Sequence, residues 1–479
     1  MNNFAVPILG IQGIMPELLL SLAAVLILLL EMTAGDREGH GALSLSVAGL
    51  ILAFIATFGA DGKQVFSSLL VNDNLSALLD RVFLMAAFLV TLVSRPYLAN
   101  YGLAKGEFFV LLLLATVGMM VMGAAMDFIT MFLGLEMLSL SLYVLAGFFK
   151  KDVLSGEAAF KYFILGAFAT GFLVFGMAFV FGALGTTNFA AMAHTLSAGS
   201  PPFPSVPTLL FGLALILAGL GFKISLVPFH TWVPDVYTGA PTPVTALIAT
   251  GSKAAGFAAL VRIFMITFPG SFQFWGAAFW WLALLTMIVG NLFALVQVEI
   301  KRMFAYSSVA NGGYLAMAFL SHSDVGIKAL LFYLFAYTFM TVGVFGVVSL
   351  AGRRERLLIS EYAGLSRENP FLAAVMSLFL LSLAGMPGTA GFFGKFYLFA
   401  GAVRSGYLGL ALVGILTTIL SFYYYLRVIV YMYMRESEMP REALELAGSG
   451  RTALVLAAAG VLILGCFPNL IWISIEQVF

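Results

Sequence analysis

Residues 219–243 read GLGFKISLVPFHTWVPDVYTGAPTP, an apolar run that contains a lysine and four prolines. Proline lacks the amide hydrogen that a regular helix needs, so the stretch predicts a broken helix. Irregular backbone at membrane depth is tolerated only where protein or a water-filled cavity surrounds it. The break therefore indicates an internal polar site beside Lys223. The four prolines are Pro228, Pro234, Pro241 and Pro243.

A second stretch has the same character. Residues 382–399 read SLAGMPGTAGFFGKFYLF, where Pro387 stands between Gly385 and Gly388 and Lys395 follows. This pattern predicts a second broken helix that also bears one lysine.

The two stretches are copies of one repeat. At an offset of 172 residues, AGLGFKISL at 218–226 corresponds to AGFFGKFYL at 390–398. Each repeated unit holds five predicted spans, an odd number, so two tandem units must face opposite ways across the membrane. Inverted repeats with broken helices are typical of transporters.

The composition is that of a membrane protein. Of 479 residues, 62% are apolar and 10% are charged, against roughly 45–50% and 25% in soluble domains. The 24 Lys and Arg residues are balanced by 23 Asp and Glu residues, which argues against a nucleic-acid surface. One cysteine, Cys466, cannot hold an iron–sulfur cluster or form an internal disulfide. Any redox cofactor is therefore expected in a partner protein.

The apolar runs predict an all-α membrane protein of about fourteen spans. A helix needs about 20 apolar residues to cross a bilayer. The predicted spans are 14–32, 41–59, 77–94, 107–124, 125–148, 157–184, 207–226, 241–267, 275–298, 303–321, 326–350, 370–400, 406–434 and 452–474.

The basic residues predict an N-terminus on the outer side. With this orientation, fourteen Lys and Arg residues fall on the inner side and five on the outer side. Membrane proteins carry an excess of Lys and Arg in their inner loops, so the distribution favours this orientation. The inner residues are Arg37, Arg95, Lys105, Lys150, Lys151, Lys301, Arg302, Arg353, Arg354, Arg356, Arg367, Arg435, Arg441 and Arg451. The outer residues are Lys63, Arg81, Arg262, Lys328 and Arg404.

Glu136 is the main acidic candidate, because it lies near the middle of the fifth predicted span. A charged carboxylate there costs ~3 kcal/mol or more unless it is paired or neutral. Burial disfavours the charged forms of glutamate and lysine alike. An ion pair of Glu136 with Lys223 that opens and closes would therefore load and release a proton. The alternative is a neutral glutamate that bonds one neighbour and has no further role.

Three more lysines lie within apolar sequence. Glu157 and Lys161 are four residues apart, so they share one helix face; they form either a structural ion pair or part of a relay. Lys253 stands among small residues that allow close helix approach and leave room for water. Lys395 lacks a matching acid, because the repeat-related position is Ser308. The second repeat is therefore expected to serve as an exit rather than a loading site.

Two polar residues lie in the first break itself. His230 is predicted either to bond a freed carbonyl or to relay protons. Asp235 follows Pro234 and is predicted to cap the short helix that begins there.

Taken together, these segments resemble the antiporter-like membrane subunits of respiratory complex I, the NADH–quinone oxidoreductase. The resemblance covers nearly the whole chain, and fourteen spans fit the bacterial form. It is carried by GFKISLVPFHTWVPDVYTGAPTPVTALIATGSKAAGFAAL at 221–260, LEMLSLSLYVLAGF at 135–148 and KRMFAYSSVANGGY at 301–314.

The resemblance implies a proton-translocating subunit of this enzyme with no redox centre of its own. In such subunits one glutamate and three lysines form a central polar axis, to which Glu136, Lys223, Lys253 and Lys395 correspond. Supporting positions of the relay correspond to Glu157, Lys161 and His230.

One departure from the family is Asn311, where relatives often have histidine. Asparagine cannot carry a proton as a charge. Water, Tyr306 or Ser308 would have to carry any proton that passes there.

The resemblance also implies the surroundings of the chain. Flavin, iron–sulfur clusters and quinone are expected in partner subunits, with no cofactor or metal site in this chain. The partners would be other membrane subunits of complex I, including neighbouring antiporter-like subunits, in the bacterial inner membrane. The predicted organisation is a three-helix segment at 1–106, repeats at 107–267 and 275–434, and a C-terminal helix at 435–479.

Two other functions remain open. A subunit of an Mrp-type cation/proton antiporter would share the fold and need no redox partner, although the run GSKAAGFA favours the complex I family. A membrane scaffold with vestigial charges is the third possibility. Four deep lysines, at an insertion cost of ~2.5–3.5 kcal/mol each, argue against it.

Overall fold

The computed structural model describes residues 12–34, 39–59, 62, 64–66, 68–197, 205–321, 324–352, 357–436 and 448–478. Within these ranges the chain is almost entirely helical. The first eleven residues of the predicted N-terminal segment lie outside them. So do six of the basic residues used to predict the orientation: Arg37, Lys63, Arg353, Arg354, Arg356 and Arg441.

Three long helices and a small hairpin form the N-terminal part. Asp73 begins the third helix, because its carboxylate accepts the amide hydrogen of Ser76 at 2.7 Å and so satisfies a free donor at the helix start. The elements are α1 (Met15–Ala34), α2 (His40–Ala56), an antiparallel pair of β1 (Gln64–Val65) and β2 (Leu70–Val71), and α3 (Asn74–Asn100).

The first predicted break is confirmed. One helix ends at Lys223 and the next begins at Val233. Side chains satisfy the backbone groups that the break frees: the indole of Trp232 donates to the carbonyl of Phe222 at 3.0 Å. The elements are α4 (Gly106–Ala124), α5 (Phe128–Ala146), α6 (Val153–Leu184), α7 (Phe189–Ser197), α8 (Ser205–Lys223), α9 (Val233–Gly239), α10 (Thr242–Leu247) and α11 (Lys253–Leu260).

The span around α10 and α11 contains a feature that the sequence does not predict. Thr242–Thr267 is one continuous, buried span, but its helix widens into π-helical turns at Ile248–Ser252 and Val261–Thr267. Such turns are rare and frequently occur at functional sites. Lys253 immediately follows the first of them.

The second predicted break is also confirmed. A helix ends at Ala384, and Gly385 follows with φ +91°, a conformation that suits glycine and commonly ends helices. The next helix begins at Ala390. The elements are α12 (Phe272–Val296), α13 (Ile300–Ala316), α14 (Asp324–Leu350), α15 (Leu365–Glu368), α16 (Pro370–Ala384), α17 (Ala390–Arg404), α18 (Leu408–Met434), α19 (Gly448–Cys466) and α20 (Asn469–Glu476).

Twelve described helical stretches are long and apolar enough to cross a membrane, fewer than the fourteen predicted. The two predicted spans outside this set are 303–321 and 370–400. The first contains α13, which has 17 residues and many small and polar side chains. The second is divided between α16 and α17, each of 15 residues. Both predicted spans are helical. The first is too polar, and the second too short in each of its two parts, to form one apolar helix of membrane-spanning length.

The most buried elements are the span that bears Lys253 and α14. The span Thr242–Thr267 is buried except at Met265 and Ile266, which are half-buried, and α14 is nearly as buried. α14 packs on α3, α10, α16, α17 and α19, while α12 packs on α13 and α18. This arrangement keeps the interior of the fold away from lipid.

Candidate functional site

The three predicted lysines Lys223, Lys253 and Lys395 lie buried in the helical bundle beside helix ends or irregular turns. Each ammonium group bonds neutral oxygen atoms. Among the described residues, no carboxylate lies within 4.0 Å of any of them. The exposed fractions are 5% for Lys223, 1% for Lys253 and 3% for Lys395.

Lys223, the last residue of α8, bonds two hydroxyl groups. Its Nζ donates to Ser139 Oγ of α5 at 2.9 Å and to Tyr162 OH of α6 at 3.4 Å. The Tyr162 ring stacks on Trp232, with ring centroids 4.7 Å apart. Lys223 is therefore held between α5, α6 and the segment that follows the break.

Glu136 of α5 is half-buried and does not contact Lys223 in this structure. Its Oε1 accepts a hydrogen bond from Thr170 Oγ1 of α6 at 3.1 Å. Thr170, Ser139 and Lys223 all line one small cavity of about 10 Å³, close to the smallest volume that holds a water molecule. The predicted loading pair is thus separated by hydroxyl groups and one small polar cavity.

Lys253 contacts the second half of the chain. Its Nζ donates to the carbonyl oxygen of Ser308 at 2.5 Å and to Ser308 Oγ at 2.7 Å. Tyr237 OH also lies 3.2 Å from Ser308 Oγ. α13 can approach because residue 312 is glycine: a Cβ there would lie 3.0 Å from the carbonyl oxygen of Ile224. Ser308 therefore lies at the site, as one of the positions that the sequence singles out.

Lys395 of α17 points back to the end of α16. Its Nζ donates to the carbonyl oxygen of Leu383 at 2.8 Å, one of the carbonyls freed by the break. A cation is favoured at a helix C-terminus, where the helix dipole is negative. The second break thus supplies the oxygen that the sequence, lacking an acid, does not predict.

Asn311 lies in a cluster of hydroxyl groups. Its side chain accepts from Tyr333 OH at 2.5 Å and donates to the carbonyl of Ser307 at 2.9 Å. Ser307 Oγ is hydrogen-bonded to Tyr425 OH. Tyr306 is only half-buried and packs on an aromatic ring. The cluster is therefore built of neutral groups.

An ionic network lies beside the first break. The predicted Glu157–Lys161 pair is present at 2.7 Å. Lys161 also contacts Asp235 at 2.6 Å, and Asp235 contacts Arg302 of α13 at 3.1 Å. Burial alone would raise the pKa of Asp235, but the hydrogen bonds and charges of Lys161 and Arg302 outweigh it and lower this pKa.

The predicted capping role of Asp235 is wrong. α9 begins after Trp232 without a side-chain cap, and Asp235 lies within its first turn. The carboxylate turns instead towards Lys161 and Arg302 on other helices, where donor and acceptor are both charged.

His230 lies in the irregular segment between α8 and α9 and is half-buried. In the described chain its side chain makes no hydrogen bond to the lysines or carboxylates of the site. Its role in a relay stays a prediction.

The chain matches the family described as "NADH:quinone oxidoreductase/Mrp antiporter, TM" over residues 125–421. It is 45% identical to NADH-quinone oxidoreductase subunit N of Trichlorobacter lovleyi, over 97% of this chain and 96% of the relative. A subunit N of Solibacter usitatus is 40% identical over 95% of this chain and 94% of its own length.

Solved structures show the same fold. A chain of respiratory complex I from Thermus thermophilus with bound aureothin superposes with a TM-score of 0.82 and 34% identity, over 96% of this chain and 99% of that one. A chain of the Mrp complex from Dietzia sp. superposes with a TM-score of 0.84 but only 20% identity, over 98% of this chain and 97% of that one. The second likeness shows the fold alone.

Proposed function

Because the chain belongs to the NADH:quinone oxidoreductase/Mrp antiporter family of membrane proteins, we propose that its buried lysines carry out the proton translocation of an NADH–quinone oxidoreductase. The chain is a membrane subunit of the subunit N type, as its identity of 45% with such a subunit supports. Quinone reduction elsewhere in the complex drives the protons.

The observation that carries this proposal is the surroundings of the three lysines. Lys223, Lys253 and Lys395 are buried, and their ammonium groups bond only hydroxyl and carbonyl oxygens of the described chain. A neutral oxygen stabilises an ammonium less than a carboxylate does, so either protonation state is accessible at modest cost. A lysine held in this way can take up and release a proton, whereas a lysine in a tight ion pair keeps it.

The lysines form a path that passes from the first half of the chain to the second. Gly256 lies one turn beyond Lys253, and a Cβ on it would lie 3.6 Å from the Cβ of Lys223. Lys253 in turn bonds Ser308 of α13. Protons would pass from Lys223 to Lys253, then through the cluster around Asn311 to Lys395.

Loading begins at Glu136 in this proposal. Glu136 and Lys223 bond groups that line the same small cavity, so one water molecule would connect them. Glu157, Lys161 and His230 support the relay at the first break. Lys395, which lacks an acid, releases protons at the far end.

The predicted organisation supports this direction of transfer. We propose an N-terminal segment at 1–106, inverted repeats at 107–267 and 275–434, and a C-terminal helix at 435–479, with one broken helix in each repeat. Two inverted units open to opposite sides of the membrane, so one repeat receives protons and the other releases them.

The partners belong to the same proposal. Glu136 is only half-buried in the isolated chain, and a carboxyl group facing lipid is costly, which supports a neighbouring membrane subunit against α5 and α6. Flavin, iron–sulfur clusters and quinone would lie in other subunits. The location would be the bacterial inner membrane.

The test is proton pumping by the intact complex in sealed vesicles. Lys253→Ala should abolish pumping while the complex still assembles, because the link between the two halves has no proton carrier. Lys105→Ala is the matched control, since Lys105 is exposed and outside the site. NADH-driven pumping at the wild-type ratio in Lys253→Ala would refute the proposal. Antiport without any NADH-oxidising partner would favour an Mrp-type subunit instead.

A further inference from the structure

Lys223, Lys253 and Lys395 share one kind of partner: each ammonium group lies over the face of a tyrosine ring. A cation within about 6 Å of an aromatic face is attracted by the ring's electron density. The distances from Nζ to the ring centroid are 5.5 Å for Lys223 over Tyr162, 5.9 Å for Lys253 over Tyr337 and 4.9 Å for Lys395 over Tyr314.

Lys395 depends on its ring more than the other two do. Lys223 and Lys253 each donate to two oxygen atoms. Within the described chain, Lys395 donates only to the carbonyl oxygen of Leu383. Its ring is also the nearest of the three. The Tyr314 ring therefore supplies a larger share of what stabilises this ammonium group.

The hydroxyl group of Tyr314 is held from two helices. Asn291 Nδ2 of α12 donates to Tyr314 OH at 3.1 Å, and Tyr314 OH donates to Thr417 Oγ1 of α18 at 3.2 Å. Asn291 is itself held, because its Oδ1 accepts from Tyr424 OH at 3.0 Å and its Nδ2 donates to the carbonyl of Met287 at 2.8 Å. These bonds hold the hydroxyl end of the side chain, while the ring itself packs edge-on against Phe399, with ring centroids 6.0 Å apart.

We propose that Tyr314 is a positioning residue whose ring stabilises the protonated form of Lys395 and so sets the pH at which this lysine gives up its proton. The proposal rests on the proton translocation proposed above. No bond between heavy atoms changes: the ammonium group passes one proton to the next acceptor and becomes a neutral amine. The ring takes no proton and alters only the relative free energies of the two forms.

Among the groups around Lys395, the ring of Tyr314 has the main influence on the protonation of this lysine. The titratable side chains that the packed helices present on this side are tyrosines, which ionise near pH 10 when exposed. α16 carries no ionisable side chain. The tyrosines are Tyr314 on α13, Tyr333 and Tyr337 on α14, and Tyr424 and Tyr425 on α18. The charged residues of the packed helices are Lys301 and Arg302 at the start of α13, Asp324 and Lys328 at the start of α14, Arg404 at the end of α17, Arg427 of α18, which bonds the carbonyls of Leu295 and Gln297, and Arg451 near the start of α19, while Cys466 ends α19.

The test is the pH profile of protons pumped per electron in vesicles containing the whole complex. Tyr314→Leu removes the ring, so the neutral amine is favoured. The pH at which pumping falls on the alkaline side of the profile, here called the alkaline limb, should then be lower by about 0.5–1 unit than in the wild type. Tyr314→Phe keeps the ring and should retain most of the wild-type position. In that variant the side chains of Asn291 and Thr417 lose their bonds to the Tyr314 hydroxyl group. They still donate to the backbone carbonyls of Met287 and Val413. Tyr397→Leu on α17 is the matched control, since this ring packs on Trp472, and its profile should not move.

The outcomes separate this inference from the function on which it rests. Wild-type pumping in Lys395→Ala would refute the role of Lys395 itself. Loss of pumping in Lys395→Ala together with an unmoved limb in Tyr314→Leu would refute only the positioning role. Should Tyr314→Leu fail to assemble, Tyr314→Met takes its place, because methionine adapts to irregular space. A full shift in Tyr314→Phe would assign the effect to the hydroxyl group and overturn the proposal.

Discussion

At the scale of single residues, the chain uses lysine and arginine in different ways. Arg262 is buried and bonds Asp73 through two nitrogens, at 2.7 and 2.8 Å, and the carbonyl of Gly123 at 3.0 Å. A guanidinium group stays protonated, so this charge is permanent and structural. Lys223, Lys253 and Lys395 instead bond neutral oxygens and can lose their charge. At these positions lysine, unlike arginine, can carry a proton.

This difference predicts the behaviour of Lys395→Arg. Arginine would keep a positive charge beside the Leu383 carbonyl, but the site could not be emptied of its proton. Pumping per electron should fall strongly, and Lys395→Ala should lose it as well because no carrier remains. The decisive comparison is between the two variants in reconstituted vesicles. Full pumping in the arginine variant would mean that a fixed charge is sufficient.

Glu136→Gln should leave the complex assembled and reduce its pumping. The amide oxygen of glutamine can still accept the hydrogen bond from Thr170, so local packing is kept. A neutral amide cannot exchange a proton with Lys223. Proton uptake should therefore fall, and electron transfer with it where the two are tightly coupled. Glu107→Gln, at an exposed position of α4, is the control; equal pumping in both variants would remove Glu136 from the mechanism.

The Asp73–Arg262 pair predicts a pH dependence of stability. Burial alone would raise the pKa of Asp73, but the hydrogen bonds and charge of Arg262 outweigh it and hold this pKa below its ordinary value of 3.8. A lowered pKa in the folded state adds stability above pH 3.8, and this stability is lost as the pH falls through the lower, folded-state pKa.

Asp73→Asn should therefore destabilise the chain at neutral pH. The cost should be less than the ~3–5 kcal/mol of a fully buried pair, because 32% of the Asp73 side chain is exposed. Thermal unfolding of the solubilised complex between pH 7 and pH 3 would measure it. The difference between the variant and the wild type should narrow as the pH falls from 3.8 towards the folded-state pKa of Asp73, and a constant difference at every pH would contradict this origin.

At the scale of helices, the sequence predicted the two breaks but not the π-helical turns within the span Thr242–Thr267. Pro228 and Pro387 cannot continue a helix, and Gly385 adopts a left-handed conformation, so local chemistry decides both breaks. The π-helical turns around Lys253 depend on packing between helices and have no local sequence signal. The sequence also missed the tyrosine rings and the Asp235–Arg302 pair. A tyrosine at helical spacing resembles a packing residue, and a contact between distant helices requires the fold.

The close approach of α16 and α17, the two parts of the second broken helix, predicts that Gly391 cannot be replaced. A Cβ at this position would lie only 1.8 Å from the carbonyl oxygen of Ser382, a backbone atom that cannot turn aside. Gly391→Ala should therefore displace α17 from α16, together with Lys395, and abolish pumping or assembly. Gly409→Ala in α18 is the control, since a Cβ there meets nothing within 4 Å. Equal assembly and pumping of the two variants would show that the break can relax.

At the scale of the whole molecule, the two halves of the chain are joined through α13. Arg302 of this helix contacts Asp235 of α9 at 3.1 Å, and Ser308 accepts from Lys253 of α11 at 2.7 Å. Two halves that translocated protons separately would not need such contacts between their polar centres. The contacts favour one path that passes through both halves over two parallel paths.

A single path predicts that losses in the two halves do not add. If Lys223 and Lys395 act in series, each alanine variant alone should abolish pumping, and the double variant should match either single one. If each half pumps by itself, each single variant should keep about half of this subunit's share, and only the double variant should lose all of it. Protons per electron in vesicles, measured for both single variants and for the double variant, distinguish the two cases. In the proposed path Lys253 follows Lys223 and precedes Lys395, so Lys253→Ala should equal the double variant under the series arrangement. Additive losses would mean that each half of the chain carries its own protons.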